Sequence, residues 1–112
     1  MPSYKGFVIH HSVCPSINGK GFDFWIGADG TVFAAPLLTD PENIHLCLEG
    51  DFGRASVPGT TEAQTFAACR LILELSARYS ITPPVVKPHD DSCPGFFFPW
   101  NELVLYPGDG YH

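Results

Sequence analysis

The chain is short of charge, and of positive charge above all. Only 16% of its 112 residues are Asp, Glu, Lys or Arg, and six Lys and Arg face twelve Asp and Glu for a formal net charge of −6. Phosphate backbones and anionic membrane surfaces are held by clustered Lys and Arg, so neither nucleic acid nor an anionic membrane is an expected partner. Long apolar runs are missing too: none approaches the roughly 18 residues of a membrane helix. The opening Met1-Pro2-Ser3-Tyr4-Lys5-Gly6 shows no cleavable signal pattern, and the expectation is synthesis in the cytoplasm followed by release or export. Cysteine is scarce for a disulfide scaffold, with only Cys14, Cys47, Cys69 and Cys93. Cys47 and Cys69 fall within apolar periodic segments and read as buried thiols.

What is present is enough for a core. An apolar share of 45% with so little charge excludes a disordered chain. The length suits one domain over residues 1–112, which would bury about two-thirds of its unfolded surface. Eleven glycines and eleven prolines give loops and turns much of the chain.

The pattern predicts five short strands and one long helix. Gly6 to His11 is a buried strand, Phe22 to Ile26 an aromatic one, and Thr31 to Ala35 its hairpin partner across the Asp29-Gly30 turn. Ile44 to Glu49 is a fourth strand and Val85 to Lys87 a fifth. Thr61-Glu62-Ala63-Gln64 has the form of a capping box opening a helix that stops near Tyr79-Ser80, before Pro83-Pro84. Phe66, Cys69, Leu73 and Ala77, with Ile72 and Ser76 beside them, recur at helical spacing and are the expected buried stripe. A further helical turn is expected around Trp100 to Val104. Strands without strict βαβ alternation, plus one long helix, imply an α/β fold: a mixed central sheet of about five strands with helical cover.

The candidate chemistry gathers at two places: His10 and His11 at the end of the first strand, and Lys87-Pro88-His89-Asp90-Asp91-Ser92-Cys93-Pro94-Gly95. Imidazole nitrogen and thiolate sulfur suit zinc, and a catalytic zinc keeps three protein ligands and an open position. His89 and Cys93 are four positions apart on a Pro- and Gly-bounded loop, near enough to share an ion. One of His10 and His11 can join them, but not both, since adjacent strand residues face opposite sides. On residue type alone, ordinary hydrogen bonding of the histidines and burial of Cys93 explain the segment as well. Asp90 and Asp91 read as a solvated pair, and Phe96-Phe97-Phe98 with Trp100 as core and lid packing.

Five blocks in order give these residues a family likeness. Gly6-Phe7-Val8-Ile9-His10-His11-Ser12, Gly21 to Val32, Asn43 to Phe52, Thr61 to Gln64, and His89 with Cys93-Pro94-Gly95 and Phe98-Pro99-Trp100 span about residues 6 to 105. Together they resemble the zinc-dependent N-acetylmuramoyl-L-alanine amidases of the phage lysozyme and peptidoglycan recognition protein family. The resemblance implies a mixed sheet flanked by helices, with one zinc ion held by His10, His89 and Cys93. It also implies hydrolysis of the amide between the lactyl group of muramic acid and L-alanine, with peptidoglycan or a muropeptide as partner and the bacterial cell wall as place of action. A non-catalytic muropeptide-binding module is the alternative that the same resemblance allows.

The chain departs from that pattern at the proton-handling positions. Phe22 stands where phage-type members have a tyrosine, and Cys47 where other branches have a glutamate general base. Glu49, two residues from Cys47 and so on the same strand face, is the candidate substitute, with Asp90 or Asp91 as the alternative; equally, Glu49 reads as a charged strand end capping the next turn. Asp91 is also a reserve third ligand, because one branch of the family uses aspartate there. The family separates its second and third ligands more widely, and the segments between His11 and Phe22 and before Asn43 are short here. The expectation is a minimal, open version of the fold.

Overall fold

The computed structural model of the chain describes residues 4–13, 22–35, 40–53, 62–81, 84–90, 93–95, 97–100 and 103. Five strands form one sheet in the order β3-β2-β4-β1-β5, with β1 at Gly6–His11, β2 at Phe24–Ile26, β3 at Val32–Ala34, β4 at Asn43–Leu48 and β5 at Val86–Pro88. The helix, α1, is Glu62–Tyr79. The sheet is mixed, as the pattern implies. β1 lies parallel to both β4 and β5, β2 lies parallel to β4, and only the β2–β3 hairpin is antiparallel.

Register and pleat divide the central strands into two faces. Phe7 and Ile9 of β1, Ile44, Leu46 and Leu48 of β4 and Ile26 of β2 alternate onto one face and form the core with Ala68, Cys69, Ile72 and Leu75 of α1. His10 is paired with Cys47, and Trp25 with the same Cys47, on the other face. Cys47, Cys69 and Cys93 are buried thiols, as expected for the first two.

The helix keeps its expected span but turns a different stripe inward. Cys69, Ile72 and Ser76 are buried, joined by Gln64, Ala68 and Leu75, whereas Phe66 is 69% exposed and Leu73 37%, and Ala77 is exposed as well. The buried set follows an i, i+4, i+8 line from Gln64 through Ala68 to Ile72, with Leu75 and Ser76 continuing it; Leu73 lies about 100° round from Ile72 and so falls off the stripe. Gln64 is drawn into the sheet. Its amide nitrogen donates to Ile26 O at 3.1 Å and to Glu49 O at 3.0 Å, tying the helix start to the ends of β2 and β4. Thr61, the other half of the expected capping box, lies outside the described residues. At the far end, Ser80 takes φ 58° and Ile81 N donates to Ser76 O at 2.9 Å. This left-handed cap closes the helix where the sequence indicates.

Gly30 and Gly95 are glycines that geometry requires. Gly30 has φ +88° in the β2–β3 turn, and an added Cβ would meet Ala63 O at 2.9 Å. Gly95 has φ +107°, and a Cβ there would meet the Phe52–Gly53 backbone at 2.4 Å. Only glycine lets the Cys93-Pro94-Gly95 segment press this closely on the turn after β4. Phe97 N then donates to Phe52 O at 2.8 Å, and the Phe98 ring stands edge-on to Phe52 and Trp100 at 5.3 and 4.7 Å. Leu103 N donates to Trp100 O at 3.1 Å, the one-turn bond expected there.

Candidate metal centre

The sequence left open which of two adjacent histidines faces the chemistry, and the sheet resolves it. His11 lies on the core side. Its Nδ1 accepts from Phe52 N at 3.2 Å and its ring stacks on Phe52, so it anchors the turn after β4. Ser12 fastens the same junction, its hydroxyl donating to Gly50 O at 3.0 Å and accepting from Gly50 N at 2.9 Å. His10 points to the opposite face, 2% exposed, with the His89 ring centroid 4.6 Å away on one side and the His45 centroid 5.1 Å away on the other.

His89 and Cys93 reach His10 because the chain reverses between them. His89 N donates to Ile9 O at 3.2 Å, which continues the β5–β1 pairing one step past the strand. Asp90 and Cys93 then exchange backbone bonds, N to O at 3.1 and 3.3 Å, folding Cys93 back towards β1. His10, His89 and Cys93 each direct a ligand atom to one place, and those atoms lie within 4.8 Å of one another. The cluster sits at the carboxyl-terminal ends of the parallel strands β1 and β5, on the sheet face opposite the core.

The donor set fits zinc. Bonds of about 2.0–2.1 Å to nitrogen and about 2.3 Å to sulfur at a tetrahedral angle set an N···S edge of roughly 3.6 Å, and His10 Nδ1 lies 3.7 Å from Cys93 Sγ. Burial, with His45 and His89 alongside, pushes the His10 imidazole down to about 4. At neutral pH the ring is therefore uncharged, the form in which imidazole binds a metal.

Sequence reasoning missed two residues of this site. His10 Nε2 lies 2.8 Å from His45 Nδ1, and His45 Nε2 lies 2.7 Å from Asp40 Oδ2. The bond from His45, and a second from Glu42 N at 2.8 Å, hold the Asp40 carboxyl below the usual carboxylate range. The available signal was parity: His45 falls between the apolar positions Ile44 and Leu46, on the same face of β4 as Cys47. Asp23 completes the frame. Its buried carboxylate accepts from His45 N at 2.8 Å, and its own N donates to His45 O at 2.8 Å.

Glu49 is exposed, and its Oε1 accepts from Ala28 N at 2.9 Å, bridging the end of β4 to the β2–β3 turn. Asp90 Oδ2 lies 3.6 Å from His89 Nδ1. Asp91 lies outside the described residues. Phe22 packs against Trp25 at 5.6 Å between ring centroids. A groove of about 520 Å³ opens between the β2–β3 turn and α1, lined by Gly30, Val32, Phe66 and Arg70 among others, and it shares no residue with the histidine cluster. No helix among the described residues is long and apolar enough to cross a membrane.

No protein-family model matches the chain, and no curated protein sequence matches it. Solved structures do. The endolysin N-acetylmuramoyl-L-alanine amidase LysCS from Clostridium intestinale superposes with a TM-score of 0.73 at 23% identity, covering 90% of this chain and 81% of that one. Wild-type Drosophila PGRP-LB gives 0.69 at 21% identity, with 96% and 83% covered. A tyrosine-to-phenylalanine mutant of PGRP-LB in complex with tracheal cytotoxin gives 0.68 at 22%, with the same coverage. With its mixed five-stranded sheet and the long helix α1 in that arrangement, the chain has the fold of the N-acetylmuramoyl-L-alanine amidase and peptidoglycan recognition protein family.

Proposed function

We propose that this chain is a zinc-dependent amidase that hydrolyses the bond between N-acetylmuramic acid and L-alanine in peptidoglycan. The observation that carries the reading is the convergence of His10, His89 and Cys93, with a nitrogen–sulfur edge suited to tetrahedral zinc, on a fold otherwise seen in such amidases. His10 through Nδ1, His89, and Cys93 through Sγ would hold the ion, leaving a fourth position open. Zinc supplies a bound water of pKa near 7 and a Lewis acid for the scissile carbonyl. The chain's own residues set the rest: burial keeps His10 neutral, and the Asp90/Cys93 backbone pair keeps the Cys93 sulfur beside it. Glu49 and Asp91 are the carboxylates proposed to manage the proton passed to the leaving amine. For Glu49 that role means giving up the bond its Oε1 accepts from Ala28 N.

A second reading has its own support. Phe22 brings no hydroxyl and Cys47 no carboxylate, and a PGRP-LB carrying phenylalanine for tyrosine has been solved in complex with tracheal cytotoxin. By that reading the domain binds muropeptide and does not cleave it.

Digestion of purified peptidoglycan, read by mass spectrometry, separates the two. The amidase releases stem peptides with a free L-alanine amine, loses this with a chelator and regains it with zinc. Glu49→Gln and Asp91→Asn then identify the proton handler: the relevant variant keeps its zinc and loses turnover. Absence of release from zinc-loaded protein overturns the amidase in favour of the binding module.

A further inference from the structure

We infer that Asp40 and His45 form a positioning pair that fixes the tautomer and orientation of His10, so that its Nδ1 lone pair faces His89 and Cys93. The inference rests on the zinc reading for its purpose, while the order of protons it describes holds in the metal-free protein.

The direction of the chain follows from what each atom can do. Asp40 is an acceptor at both oxygens, taking Glu42 N–H at Oδ1 and facing His45 Nε2 at Oδ2, 2.7 Å away. A carboxylate has nothing to donate, so His45 Nε2 carries the hydrogen. Where that is the one ring hydrogen His45 carries, its Nδ1 is bare and can only accept. The atom 2.8 Å from it, His10 Nε2, must donate. Neutral His10 is left with its lone pair on Nδ1, the atom 3.7 Å from Cys93 Sγ. The opposite polarity would set a bare His45 Nε2 against a carboxylate oxygen with no hydrogen between them. One carboxylate three residues ahead of β4 thus decides where the proton sits on a ring two hydrogen bonds away.

The pair is also mechanically held. His45 is clamped through its backbone to Asp23, donating N–H to the Asp23 carboxylate and accepting from Asp23 N, each at 2.8 Å. Its ring meets that of His10 edge to edge, with 30° between planes and centroids 5.1 Å apart. His10 therefore meets a ring whose own place is set from two sides, and neither Asp40 nor His45 belongs to the cluster of ligand atoms. Groups that hold a ligand imidazole by its far nitrogen typically support metal affinity by 10–100-fold.

The test uses the whole chain. Zinc affinity is measured by competition with a chromophoric chelator for the wild type, Asp40→Ala, His45→Gln and His89→Ala, each first shown to be folded by its thermal transition. In the zinc-free protein, ¹⁵N NMR of the imidazoles reads the tautomers directly. The expected result is a 10–100-fold loss of affinity in Asp40→Ala and His45→Gln. With it, His10 should be protonated at Nε2 in the wild type and a tautomer mixture in Asp40→Ala. Asp40→Asn, which retains an acceptor, should fall between. Unchanged affinity in both folded variants overturns the inference, as does a wild-type His10 protonated at Nδ1. If the wild type and His89→Ala are equally unable to bind zinc, the zinc reading fails, and the NMR signature still decides the positioning.

Discussion

Strands β1 and β4 present two faces built from alternate residues of the same ten or so positions, and the faces work by different rules. On one, Phe7, Ile9, Ile44, Leu46 and Leu48 pack against α1 with essentially no exposure. Any residue there that is apolar and of about the right size will serve. On the other, Val8 and His10 of β1 stand with His45 and Cys47 of β4, and identity matters atom by atom because each polar group needs a specific partner. His10 is as buried as its neighbours, yet it is held by a hydrogen-bonded chain to Asp40 and by proximity to Cys93 rather than by shape. A sheet this small can therefore devote one surface to stability and the other to chemistry.

The largest expected effect breaks the apolar face. Ile9→Ala should cost about 2–5 kcal/mol in denaturant unfolding, and it should reach the histidine cluster only through the loss of folded protein. A variant that stayed equally stable would remove Ile9 from the core. Next comes the chemical face. His89→Ala should abolish stoichiometric zinc while leaving metal-free stability within about 1 kcal/mol, since His89 lies on the exposed rim. The stabilisation zinc gives the wild type, about 4 kcal/mol at a thousand times Kd, should vanish with it. Calorimetric melts with and without zinc measure both.

The smallest effect sharpens the contrast through pH. His10 is held at about 4 when folded, against an ordinary 6.5, by burial first and then by His45 and His89. The folded state thus binds fewer protons than the unfolded state between those values, so metal-free stability should be full above about pH 6.5 and fall as the pH drops towards 4. His11, lowered mainly by its own burial, acts with the same sign. His10→Gln should flatten the slope, whereas a core variant such as Ile9→Ala should shift the whole curve without changing its shape. An unchanged slope in His10→Gln would show that His10 is not the titrating group.

Strand and helix order, the Asp29-Gly30 hairpin and the pairing of His89 and Cys93 with one of the two adjacent histidines, His10 or His11, were legible in the chain. Each depends on local signals: alternation, turn chemistry and ligand type. The inward stripe of α1 was legible only in part. Phe66 and Leu73 are as apolar as Ile72, and their exposure follows from how far the helix is rotated over the sheet, with Gln64 pinned to the ends of β2 and β4.

The local pattern of residues was sufficient for the α/β class, the extent of α1 and the residue types able to bind a metal, because backbone preference and donor chemistry act over a few neighbouring positions. The choice of His10 over His11, the recruitment of His45 and Asp40, and the turning of Glu49 to Ala28 required the assembled sheet. These depend on which strands lie side by side and in what register, and pairing β1 with β4 brings together residues 35 positions apart in sequence, His10 and His45, that no local rule connects.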